Sequence, residues 1–317
     1  MAYDHSAAVP ATSFLMHPAD FQPTSLNALR AWLHEHHIHP SKRLGQNFLF
    51  DRNTLQRILL VAGLLPDEAV LEIGAGFGSL TQALAEHGAR VTAVEIDSRL
   101  KPPLQAIAAR YPTVRLVFAD FLELDLDVLL DIAFGIGGIG SAVANIPYAI
   151  STPIVERLLS RKNRFRQIIL LVQEEFARRI VAKPGSKDYG SLSIFVQYHA
   201  TAEIAGVVPR TVFFPQPEVN SAILRMVPVS PSTLQVNNEE RFFAIVHAAF
   251  GQRRKTLLKA LLAAAPQIGL PNDRARVAAW LSAANIAPER RGETLSLEEF
   301  ARLANTPPEP FNPPEAL

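Results

Sequence analysis

Leu71-Glu72-Ile73-Gly74-Ala75-Gly76-Phe77-Gly78 is the stretch on which the fold turns. The apolar run Ala69–Ile73 reads as a buried strand, and Ser79–Glu86 reads as a helix. The glycines between them let the chain turn tightly and bring its backbone close to a ligand at the helix N-terminus. A second strand, Arg90–Val94, ends at Glu95, a carboxylate placed to accept both ribose hydroxyls of a nucleoside. The dinucleotide fingerprint G-x-G-x-x-G is not met, because its third glycine falls on Ser79. Glu72 would repel a pyrophosphate and suits a cationic sulfonium or an amino-acid ammonium. The alternative is a close-packed turn that binds nothing.

Outward from this turn, apolar runs alternate with amphipathic stretches. Ser98–Arg110 reads as a helix with Pro102 and Pro103 tolerated near its start. Val114–Phe118 and Ala142–Ala144 read as strands, Thr152–Ser160 as a helix and Gln167–Val172 as a very apolar strand. Strands alternating with helices predict an α/β fold, a mostly parallel sheet covered on both faces. Gly135–Gly140 does satisfy G-x-G-x-x-G, but it precedes a strand and opens no helix, so it reads as a flexible loop. Beyond Arg225 the pattern changes. Val227–Ser232 reads as a linker, and helices follow near 238–250, 253–265, 273–284 and 296–304. The expected organisation is a flexible extension over 1–22, an α/β domain over 23–228, a smaller helical domain over 233–305 and a proline-rich disordered tail over 306–317. Near the start, Leu26, Leu29 and Leu33 predict a short amphipathic helix from about Thr24 to His36.

Composition narrows the chemistry. In 317 residues, 48% hydrophobic and 19% charged, there is enough apolar material for a core. Cysteine is absent, which removes disulfides, Cys-ligated zinc, iron–sulfur clusters and a thiol nucleophile. The net charge of +1 leaves only local basic patches to consider. No run approaches the ~20 apolar residues of a membrane span, and residues 1–22 lack the marks of a secretory signal. His34, His36, His37 and His39 do not complete H-E-x-x-H, so no metal is expected.

Asn145-Ile146-Pro147-Tyr148 follows a short apolar strand. An amine on a nucleobase is a weak nucleophile, because its lone pair is spread into the ring. An Asn side-chain oxygen and a nearby backbone carbonyl can accept its hydrogens, hold the nitrogen in line with a methyl donor and favour its pyramidal form. Tyr148 offers a flat face for the base. The same tetrapeptide also occurs as an ordinary turn.

The chain resembles the ribosomal RNA adenine dimethyltransferases, S-adenosylmethionine-dependent enzymes with a Rossmann-like fold. The resemblance rests on Lys42–Leu49 (KRLGQNFL), Leu71–Gly78, Glu95-Ile96-Asp97, Ala119-Asp120-Phe121, Asn145–Tyr148, Val172–Glu175, Phe213–Ser221 (FFPQPEVNS) and Phe250–Leu257 (FGQRRKTL). These segments run in family order over about residues 39–262. The glycine loop before Asn145 is longer than the family's usual one. The resemblance implies that Asn47 and Leu49 close over the methyl donor, Gly74 lies under its amino-acid part, Glu95 takes the ribose and Asp120 the adenine amine. It implies that Asn145 holds the target nitrogen while Tyr148 and Phe214 sandwich the target base. The implied activity is dimethylation of two adjacent adenines near the 3′ end of small-subunit ribosomal RNA, by a cytoplasmic monomer acting on the pre-small subunit.

Basic residues gather in three places: Arg157, Arg161, Lys162, Arg164 and Arg166; Arg178, Arg179, Lys183 and Lys187; and Arg241, Arg253, Arg254, Lys255 and Lys259. Such patches would meet phosphates, and Arg253, Arg254, Lys255, Arg161 and Lys162 are the expected RNA contacts. Two rivals are a large-subunit adenine methyltransferase that confers antibiotic resistance and a non-catalytic assembly or transcription factor on the same fold. The LGQNFL and GQRRKT segments favour the small-subunit enzyme over the first; intact Gly74, Glu95, Asp120, Asn145 and Tyr148 argue against the second.

Overall fold

The computed structural model describes residues 22–229, 234–270 and 272–307. The chain begins with α1 (Leu26–Glu35), β1 (Phe48–Leu49) and α2 (Arg52–Ala62). The α/β core follows as β2 (Ala69–Ile73), α3 (Ser79–Glu86), β3 (Arg90–Glu95), α4 (Lys101–Arg110), β4 (Val114–Phe118), α5 (Leu126–Phe134), β5 (Gly140–Asn145), α6 (Ser151–Leu159) and β6 (Phe165–Gln173). It closes with α7 (Glu174–Val181), α8 (Ser191–His199), β7 (Ala200–Val208), β8 (Phe213–Phe214) and β9 (Ser221–Pro228). The C-terminal helices are α9 (Glu239–Gly251), α10 (Leu257–Ala263), α11 (Arg274–Ala283) and α12 (Leu297–Asn305).

The main sheet has the order β4-β3-β2-β5-β6-β9-β7. The first five strands of that order are parallel, and β9 runs antiparallel to both its neighbours. Side chains alternate between two cores because successive strand residues point to opposite faces. Val70, Val91 and Val143 pack with α1 to α4, whereas Leu71, Val94 and Ala144 pack with α5 to α8. A third core joins α9 to α12 with Tyr189 and Ile194, and the Tyr189 hydroxyl donates to the Leu295 carbonyl at 2.9 Å.

The five strands expected from the sequence are present, as are the helices after them. Several boundaries move. Strand β9 continues through Pro228, so the expected linker over 227–232 starts inside a strand. Helix α10 begins only at Leu257, because the Thr256 hydroxyl accepts from the Lys259 N–H and caps it there. Thr306, expected in the tail, follows α12 and accepts from the Trp280 indole at 2.9 Å. The glycine stretch 135–140 is a pinned turn rather than a loose loop. Arg164 donates to the Gly138 and Gly135 carbonyls at 2.7 and 3.1 Å and pairs with Asp131. Residues 1–21 of the expected extension and 308–317 of the expected tail lie outside the described residues.

Candidate active site

Parallel α/β sheets bind ligands beyond the carboxyl ends of their strands, where the strand order reverses. Here that point lies between β2 and β5. A cleft opens there. Its walls come from the segment around β1, the β2–α3 turn, the end of β3 and the end of β5. Asn47, Leu49, Gly74, Glu95 and Asn145 all line it. Asp120, Tyr148 and Phe214 stand beside it rather than in it.

The turn after β2 needs its glycines. Gly74 and Gly76 have φ of +77° and +58°, a region that costs side-chain-bearing residues energy. At Gly76 a Cβ would sit 3.1 Å from the Phe48 ring. The glycine therefore lets β1 close down on the turn, and Phe48 meets Phe77 edge-on at 4.7 Å. The Gly74 and Ala75 amides both donate to the Val94 carbonyl, which ties the turn to β3.

Two buried carboxyls face the cleft. Glu95 accepts from the Gly76 and Asp97 amides, each at 2.8 Å, and burial raises its pKa. Glu72 is 1% exposed and accepts from the Thr81 hydroxyl at 2.6 Å. Burial pushes its pKa up to about 8, the Thr81 bond opposes the shift, and neighbouring Glu95 adds to it. A cleft floored by these groups disfavours phosphate and favours a cation. Asp97 differs: Arg99 grips it through two nitrogens at 2.8 and 2.7 Å and holds its pKa down. The Gln46 amide also donates to Asp97 at 2.8 Å and accepts from the Ser41 N–H at 2.7 Å. Gln46 thus locks the segment before β1 to the end of β3, a role that the motif around it did not reveal.

Asn145 ends β5. Its side-chain NH₂ donates to the Asn47 carbonyl at 3.1 Å. That bond fixes the amide so that Oδ1 is the acceptor left over, and Oδ1 receives no hydrogen bond from the described residues. The Tyr148 hydroxyl lies 2.6 Å from that of Ser221 at the start of β9, and burial raises its pKa. Phe214 is brought in by the two-stranded pairing of β1 with β8, where Phe48 faces Phe214 and Leu49 faces Phe213. Asp120 follows β4; its carboxylate accepts from the Leu122 N–H at 2.9 Å, and the preceding Ala119 donates to the Glu95 carbonyl.

The basic residues divide. Arg161 forms a two-point ion pair with Asp127, and Arg166 one with Glu68. Arg157 donates to the Leu124 carbonyl. The Lys162 ammonium lies over the Tyr198 ring at 5.6 Å. Arg253 donates to the Lys187 and Tyr189 carbonyls at 2.8 and 3.1 Å and meets Glu293, clamping the helical unit to the loop before α8. Arg254 and Lys255 make no side-chain bond among the described residues.

The model of the ribosomal RNA adenine dimethylase family matches residues 38–305. The chain belongs to this family. It is 45% identical over 264 residues to a ribosomal RNA small subunit methyltransferase A from Geobacillus thermodenitrificans, covering 83% of this chain and 89% of the relative. The protein of the same name from Shouchella clausii is 42% identical over 283 residues, covering 89% and 94%. Among solved structures, a dimethyladenosine transferase from Plasmodium falciparum superimposes with a TM-score of 0.65 at 25% identity, covering 80% of this chain and 95% of that one. The 23S rRNA methyltransferase ErmE superimposes at 0.60 with 31% identity, covering 82% and 99%. Both superimpose over nearly their whole length.

Proposed function

We propose that this dimethylase transfers methyl groups from S-adenosylmethionine to the exocyclic amines of two adjacent adenines near the 3′ end of small-subunit ribosomal RNA. The observation that carries the proposal is the orientation of Asn145. With its NH₂ committed to the Asn47 carbonyl, its oxygen is the group left to accept a hydrogen from a target amine.

The cleft fits the cofactor on the chemistry of its donors. Glu72 offers a buried carboxyl to a positive charge, Glu95 has remaining lone pairs for ribose hydroxyls, and the half-exposed Ile96 offers an apolar face to a purine. Asn47 and Leu49 would close over it, Gly74 would lie beneath it, and Asp120 would reach its adenine amine. The bound cofactor supplies an electrophilic methyl group on a sulfonium centre. The protein's task is to hold the adenine nitrogen in line with it. Asn145 accepts one amine hydrogen, a backbone carbonyl of the same loop accepts the other, and Tyr148 and Phe214 sandwich the ring. As the nitrogen attacks, positive charge grows on the amine, and a preorganised acceptor is worth more there than in the ground state.

RNA phosphates would meet Arg254 and Lys255, with Arg161, Lys162 and Arg253 beside them. The enzyme would act as a cytoplasmic monomer on the pre-small subunit. Incubating it with unmethylated small subunits and labelled donor, then mapping the modified nucleotides, tests the proposal. Two adjacent dimethylated adenines are expected; label on large-subunit RNA alone would overturn it.

A further inference from the structure

Helix α1 lies outside the family-model match, which starts at residue 38. It is nonetheless fastened to the active site. Leu29, Trp32 and Leu33 are buried, Trp32 meets Phe77 of the cofactor turn edge-on at 5.2 Å, and the Ser79 hydroxyl donates to the Pro23 carbonyl at 2.8 Å. From this anchored helix Arg30 projects over Phe214, its guanidinium carbon 5.0 Å from the ring centroid.

We propose that Arg30 is an RNA-contact residue that grips a phosphate next to the target adenosine. The proposal rests on Phe214 being a wall of the target-base site. Most arginines that the sequence offered for phosphate in the segment 157–166 are committed internally, to Asp127, Asp131, Glu68 or backbone carbonyls. Arg30 has no ion-pair partner among the described residues, and it is exposed. Its guanidinium stands over an aromatic ring, and its planar fork of donors is the geometry that binds phosphate through two nitrogens. A cation that touches one wall of the base site can reach the sugar–phosphate backbone only close to the extruded nucleotide. A merely structural stack would be worth little at an exposed position and would not require a charge with no ion-pair partner among the described residues.

Binding of a 3′-terminal small-subunit RNA fragment, measured across a salt series, tests this directly. Arg30→Ala should weaken binding about tenfold or more at low salt and lower the log–log salt slope by about 0.7–0.9, the release expected for one phosphate contact. Arg30→Lys should keep the slope, because the charge is retained, and lose affinity a few-fold, because the fork is lost. Calorimetric affinity for S-adenosylmethionine and the melting temperature should stay as in the wild type. An unchanged slope in Arg30→Ala would overturn the proposal, whether or not affinity falls. The readout is RNA binding, so it stands apart from the methyl-transfer assay, whose failure in the wild type would count against the proposed function.

Discussion

Cofactor binding at pH 7 is expected to expel close to one proton, and Glu72→Gln is expected to remove most of that release. With its pKa at about 8, Glu72 is about nine-tenths protonated at pH 7 in the free enzyme. A unit positive charge brought to about 4–6 Å, at an effective dielectric of about 20, favours the carboxylate by roughly 3–4 kcal/mol. That lowers the pKa by about two to three units, to roughly 5–6, and leaves less than about a tenth of the groups protonated. The difference is the larger part of one proton per site. Isothermal titration in buffers of different ionisation enthalpy reads this number directly. Equal proton release by wild type and Glu72→Gln, or none by wild type, would refute the reasoning. The same group sets a stability trend. Its folded pKa lies above its unfolded value, so its contribution is fully present below about 4.5 and is lost as pH rises through about 8. Glu72→Gln should therefore flatten the melting temperature of the free enzyme across that window.

Asn145→Ala should lower the single-turnover methylation rate a hundred- to a thousandfold, the ~3–4 kcal/mol typical of a lost acceptor of developing charge, with cofactor and RNA affinity nearly intact. A near wild-type rate would reduce the loop to a structural turn. Glu95→Ala should cost cofactor affinity ten- to a hundredfold in calorimetry. It should also lower the melting temperature, since the Gly76 and Asp97 amides lose their acceptor. Replacing Arg254 and Lys255 together by Ala should lower the salt slope of RNA binding by about 1.4–1.8 without changing stability. Arg253→Ala should instead destabilise the fold in thermal melts, because it strips a donor from two carbonyls and Glu293.

Much of the candidate site was legible in the linear order because its elements are local. A turn of glycines between a strand and a helix, a carboxylate at the next strand end and an Asn-x-Pro-Tyr loop each need only a few adjacent residues. Four of the sheet's strands were legible because they are buried on both faces and read as apolar runs, and the half-buried edge strand β4 still reads as an apolar run. The edge strand β7 alternates buried and exposed residues and carries Gly206 within it, so its signal is weak. Strands β1 and β8 are two residues each and exist only because they pair with one another.

The sequence by itself determined the parallel α/β core, the glycine turn after β2, the carboxylate at the end of β3 and the family. These follow from periodicity and turn chemistry, which act over a handful of bonds. Tertiary structure decided what the charged and amide side chains do. Arg166 and Glu68 are 98 positions apart, as are Asn145 and Asn47, yet each pair is in contact. Gln46 reaches Asp97 across 51 positions and Arg253 reaches Lys187 across 66. Electrostatic and hydrogen-bonding partners are set by distance in space. Basic residues that the sequence alone could not tell apart therefore separate into clamps such as Arg161 and Arg253 and cations with no ion-pair partner among the described residues, such as Arg254, Lys255 and Arg30.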